Sequence, residues 1–146
     1  TTPCNLPTGT PSVASHTLQA TRDGSAYVAN TGLIGYRLST DRTNIEAGDV
    51  TLAIGKDKDG KSVSDLVAAG SFPICVLLGD QSSGTNYAQV RASGKSFGTD
   101  GSHTGSVAIL AKDGDELVGR FELVGVENGG SSTTKLEDGA FRLGPR

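Results

Sequence analysis

Residues 55–62 read "GKDKDGKS", and two readings of those eight residues lead to two incompatible folds. As Gly55-x-x-x-x-Gly60-Lys61-Ser62 the stretch spells a phosphate-cradling loop. Backbone N–H groups at a helix start would hold the anion, Lys61 would reach the terminal phosphates and Ser62 would hold Mg²⁺. An apolar run, "VTLAI" (50–54), precedes it and "VSDLVAA" (63–69) follows. Asp80, closing "ICVLLGD" (74–80), would serve as the second metal-holding acid. That site belongs to a parallel sheet wound by long crossover helices. Centred instead on Asp59-Gly60, the same letters make a charged turn between antiparallel strands.

The turn reading is favoured on two grounds. Asp57 and Asp59 would sit inside the anion nest, where two carboxylates repel a polyphosphate by on the order of a few kcal/mol. No stretch of roughly 10–15 residues shows the 3.6-residue period that crossover helices require. The phosphate loop, Gly55, Gly60, Lys61 and Ser62, stands as the alternative.

Outward from this stretch the chain is punctuated by Asp-Gly pairs at 23–24, 59–60, 100–101, 113–114 and 138–139. Asp-Gly suits hairpin turns that need positive φ at both central residues. Between the pairs lie extended segments: "HTLQAT", "SAYVAN", "GLIGYRLST", "DVTLAIG", "FPICVLLG", "TNYAQVRAS", "GSVAILAK", "LVGRFELVGV" and "TTKLEDGAFRL". The unbroken apolar run of "FPICVLLG" suggests burial on both faces. About nine short strands predict an all-β, antiparallel sandwich or flattened barrel over 16–146. One short helix is expected at 62–69, capped by Ser62 or Ser64 and stopped by Gly70. Residues 1–15, "TTPCNLPTGTPSVAS", lack periodicity and read as an extended Pro/Thr-rich arm.

The 146 residues carry 21 Gly, only seven Tyr and Phe, and a net charge of −3. The even mixture of charges lacks the basic stripe of a nucleic-acid binder, and no apolar run is long enough to span a membrane. The chain has no Met, which leads to the expectation of a processed, exported, extracytoplasmic protein. Cys4 and Cys75 are the two cysteines. In an oxidising compartment such a pair is expected to form a disulfide. It would close a loop of about 70 residues and contribute about 4 kcal/mol in the chain-entropy model.

Other chemistry finds little footing in the sequence. An EF-hand frame with Gly60 at its sixth position puts Gly55 first and Leu66 twelfth, so only Asp57 and Asp59 match. A looser metal site of Asp57, Asp59 and Asp65 is the weak remainder. His16 and His103 sit in polar stretches and read as exposed residues. No nucleophile elbow or dinucleotide fingerprint occurs, and no cofactor is expected. Tyr27, Tyr36 and Tyr87 are the candidate ligand face, for a glycan or a peptide, against the simpler reading of strand packing.

The order "LQATRDGSAYVAN", then Gly105/Val107/Ile109, Gly119/Phe121/Leu123 and Gly139/Phe141, resembles a class of exported, often lipoprotein-like bacterial domains of unknown function. The resemblance covers residues 16–143 and is weakest over 40–80. It implies an extracytoplasmic β-sandwich and no catalytic residues. The expected function is therefore a non-catalytic binding or structural module with protein partners in the cell envelope or at the surface. The arm or an edge strand would pair with another chain. A nucleotide-binding protein and a glycan-binding sandwich are the alternatives.

Overall fold

The computed structural model describes residues 4–80 and 86–146, so the first three residues of the expected arm lie outside it. The fold is all-β and antiparallel. Its strands are β1 (Thr17–Arg22), β2 (Ser25–Ala29), β3 (Gly35–Leu38), β4 (Thr43–Ala47), β5 (Val50–Ile54), β6 (Ile74–Leu78), β7 (Asn86–Ala92), β8 (Lys95–Gly98), β9 (Gly105–Asp113), β10 (Glu116–Glu127) and β11 (Thr133–Leu143). One helix, α1 (Val63–Ala69), lies between β5 and β6. Among the described residues eleven strands stand where about nine were expected, because β4 and β8 were not foreseen. All belong to one sheet in the order β2-β1-β11-β10-β8-β7-β5-β4-β3, with β9 and β6 branching from β10.

The sheet curls on itself, as in the flattened-barrel form of the expectation. Tyr36 N–H donates to Gly144 O at 3.0 Å and Arg146 N–H donates to Tyr36 O at 2.9 Å. The C-terminal tail thus runs parallel beside β3. The main core draws on every one of these strands. Phe121, Phe141, Leu18, Ile45, Leu52 and Ile109 are among its fully buried side chains.

The spine of the molecule is β10 against β11, and its motif glycines have a packing reason. Gly119 pairs with Phe141, and Phe121 pairs with Gly139. A Cβ on Gly119 would stand 2.5 Å from the Phe141 ring, and one on Gly139 would stand 2.5 Å from the Phe121 ring. Each ring therefore lies over the bare backbone of the facing strand. Phe121 and Phe141 themselves meet at 6.4 Å between centroids, tilted by 38°. The Gly-x-Phe patterns are cross-strand interlocks.

Asp138-Gly139 is not the turn its letters suggest. It lies within β11, where Asp138 has φ 51°. The register slips by one residue there against both β1 and β10, as a bulge does. Asp23-Gly24 is a true two-residue turn, with φ 50° and 86° between paired Arg22 and Ser25. Ser93-Gly94 makes a second one, with φ 53° and 75°.

The helix follows its sequence signals. Ser62 caps its start by accepting from Asp65 N–H, and Gly70 ends it at φ 71°. Val63 and Val67, four residues apart, enter the core. Buried Ser64 and Thr43 join hydroxyls at 2.9 Å, fixing α1 to the start of β4.

Cys4 and Cys75 form a disulfide, with Cα atoms 5.7 Å apart. Cys4, Leu6, Cys75 and Ala108 build a small second core on the opposite face of β6 and β9 from the main one. From there the arm continues, with Arg120 Nε donating to Gly9 O at 2.9 Å and Ser15 Oγ to Glu116 at 3.0 Å. The burial of β6 on both faces is accordingly partial. Cys75 lies under the arm, but Leu77 is 56% exposed.

Candidate functional site

The structure places the residues of "GKDKDGKS" in a closed turn. Lys56 and Ser62 face each other as an antiparallel bridge. Asp57 N–H donates to Lys61 O at 2.8 Å. The Asp57 carboxylate accepts the N–H groups of Asp59 at 2.9 Å and Lys61 at 2.8 Å. Its own anion therefore fills the place a phosphate would take. Lys58 N–H donates to Cys75 O, and the Lys58 ammonium meets Asp59 at 2.9 Å. Gly55, Gly60, Lys61 and Ser62 do not make a phosphate loop, since the sheet around them is antiparallel and Ser62 serves as the helix cap.

Asp57, Asp59 and Asp65 do not converge either. The first closes the turn, the second pairs with Lys58, and the third lies in the first turn of α1. Among the described residues, no three His, Cys, Asp or Glu side chains group to hold a metal.

The three tyrosines are separated. Tyr36 is buried and its hydroxyl donates to Asp115 O at 2.8 Å. Burial, with the nearby Asp115 charge, raises its phenol above its ordinary pKa. Tyr87 stands near one end of β5, opposite Ala53, with the Arg42 guanidinium 5.5 Å from its ring and bonded to its hydroxyl at 3.0 Å. Tyr27 lies at the other end of β5, where its hydroxyl accepts Asp49 N–H at 2.8 Å. The Arg22 guanidinium covers the Tyr27 ring at 4.5 Å and reaches Asp49 at 3.3 Å. Burial raises the Tyr27 pKa, against the lowering effect of the Asp49 hydrogen bond. No common face forms from the three.

His16 is exposed in the turn before β1. His103 Nδ1 lies 2.9 Å from Asp100. The same carboxylate accepts the backbone N–H groups of Ser102 at 2.8 Å and His103 at 2.6 Å. These bonds hold Asp100 below its ordinary carboxylate pKa, that of Ser102 N–H first. The pair shapes the loop between β8 and β9.

What the tertiary structure does present is a sheet edge. Among the described residues three strands end the sheet: β3, β6 and β2. The tail at 144–146 covers β3. Along β6, Cys75 O accepts Lys58 N–H and Leu77 O accepts the Asn86 side-chain amide at 3.3 Å. The Gly79 N–H beyond it donates to Asn86 O at 3.0 Å.

Strand β2 has no such cover among the described residues. Arg22–Ser25 is the pair flanking a two-residue turn, so it, Ala20–Tyr27 and Leu18–Ala29 are the hydrogen-bonded pairs. The N–H and C=O groups of Ala26 and Val28 consequently point away from β1. Both residues are exposed, Val28 by 56%. The edge is also firmly placed, because Tyr27 and Arg22 moor the hairpin to the β4–β5 turn. Gly48 in that turn allows the approach, since a Cβ there would stand 2.5 Å from the Tyr27 hydroxyl.

The sequence identified "SAYVAN" as a strand and the edge-pairing mode as a possibility. It could not single out this edge, because which strands end a sheet depends on the whole topology. No protein family, curated relative or solved structure significantly matches the chain. No described helix is long and apolar enough to cross a membrane.

Proposed function

We propose that this chain is a non-catalytic, extracytoplasmic binding or structural module that joins a larger assembly by strand addition at β2. The observation that carries the reading is the contrast among sheet edges. Two are covered within the chain, while β2, among the described residues, presents unpaired backbone donors and acceptors in an uncharged strand without proline. Monomeric β proteins blunt such edges with lysine, proline, bulges or cover, because an open row of N–H and C=O groups is a template for another strand. The disulfide supports an oxidising, extracytoplasmic setting. The arm has its apolar residues engaged in cis, which favours β2 over the arm as the pairing element.

The test is a photo-crosslinking amino acid placed at position 28 in the full chain, in the cells that make it. The same probe at position 77, beside the covered edge, is the control. A polypeptide adduct at 28 and none at 77 is the expected result. No adduct at 28 would refute the reading.

A further inference from the structure

We infer that the strand received at the β2 edge is that of a second copy of this chain, aligned antiparallel about a two-fold axis at Tyr27. The inference rests on the strand-addition reading and specifies its partner.

The outward residues, Ala26 and Val28, are spaced symmetrically about Tyr27. An axis there sets Ala26 opposite Val28 of the second copy, and Val28 opposite its Ala26. Both pairs exchange N–H and C=O bonds without leaving the five residues of β2. On the exposed face a small side chain then meets a β-branched one, twice. On the other face the two Tyr27 residues form a close, non-hydrogen-bonded pair of the kind aromatic side chains favour.

Charge favours a self-contact at this place. In a two-fold contact every charge meets its own kind near the axis, so a charged edge repels itself. Residues 24–36 carry no charged side chain although the chain as a whole has 29, and the two charges beside Tyr27, those of Arg22 and Asp49, pair with each other at 3.3 Å. The same run holds Val28 and Leu33, the latter 80% exposed, two of the four large hydrophobic residues that stand most exposed. A five-residue pairing buries less than the ~1,200 Å² of stable interfaces, so the dimer is a weak one.

Sedimentation equilibrium of the native chain, from about 10 µM to about 1 mM, reads this directly. The expected result is a shift toward twice the monomer mass across that range. Val28→Pro removes an outward N–H that β1 does not use, so the hairpin should survive while association is lost. Val28→Lys should weaken association by about tenfold or more without altering the melting temperature, and it decides the matter alone if the proline variant fails to fold. Leu77→Ser should dimerise as the native chain does. A monomer at every concentration overturns the inference, and so does a dimer that both Val28 variants leave intact. A monomer in solution whose position 28 crosslinks to a different polypeptide overturns the second copy and leaves strand addition standing. A monomer without any adduct overturns both.

Discussion

The pairs β10–β11 and β1–β2 are both antiparallel, both contain an Asp-Gly step and both contain an aromatic residue seated near a glycine. In β10–β11 each strand has a neighbour on both sides, the rings of Phe121 and Phe141 are fully buried, and Asp138-Gly139 is a bulge within β11. In β1–β2 the same dipeptide closes a hairpin, Tyr27 is half-exposed over Gly48, and the outer strand has no further partner among the described residues. The comparison teaches that the local code is shared and the surroundings decide its use. Where strands lie on both sides, glycine makes room for a ring and the pair becomes a core. At an edge, the same grammar leaves a surface prepared for pairing.

The sharpest way to break the spine is Phe121→Ala. The facing residue is Gly139, which has no side chain to collapse into the space. The loss should fall at the upper end of about 3–5 kcal/mol, measured by urea unfolding. A loss under about 1 kcal/mol would mean that the Gly–Phe interlock contributes little. Replacing Cys4 and Cys75 together with serine should cost about 4 kcal/mol. It should also make the arm sensitive to proteases while strand circular dichroism persists. Gly48→Ala moves to the other member of the comparison. At φ 57° and against Tyr27, the methyl should cost about 1–2 kcal/mol. It should loosen the hairpin selectively, seen as a changed Tyr27 environment with the β10–β11 amides unaffected.

The smallest expected effect is local and depends on pH. The Asp100 carboxyl is held below its ordinary value by Ser102 N–H and by His103. Its folded value therefore lies below the unfolded one. The stabilisation is fully present above about pH 4 and is lost as pH falls through the lower folded value. Amide shifts of Ser102 and His103 should titrate below about pH 4, with the spine unchanged. A midpoint at or above that value would contradict the hydrogen-bonded carboxylate.

The fold was largely legible in the sequence because its turns are chemical. Asp23-Gly24 carries the positive φ values its residues tolerate, and Ser62 with Gly70 brackets the helix as capping requires. The disulfide was legible because the chain has two cysteines, each with the other as its partner. Strand β8 escaped notice because it is four residues long and its turn is Ser93-Gly94. Strand β4 escaped because Asn44 and Glu46 alternate with Thr43, Ile45 and Ala47, which reads as polar when taken by composition. Asp138-Gly139 misleads for a deeper reason. A bulge and a turn use the same residues, and only the registers of the neighbouring strands separate them. The site was less legible than the fold. Tyrosine burial and edge exposure arise from contacts between strands distant in sequence, such as Tyr27 with Asp49 and Tyr36 with the tail at 144–146.

Residue-resolved amide hydrogen exchange on the native chain at low micromolar concentration tests the central claim most directly, because it examines the covered spine and the open edge in one sample. Strong protection is expected at Gly119, Phe121 and Phe141. Protection is expected at Tyr27 too, whose N–H is bonded to β1, beside fast exchange at Ala26 and Val28. Slow exchange at Ala26 and Val28 in the monomer, or fast exchange along β10, would contradict it.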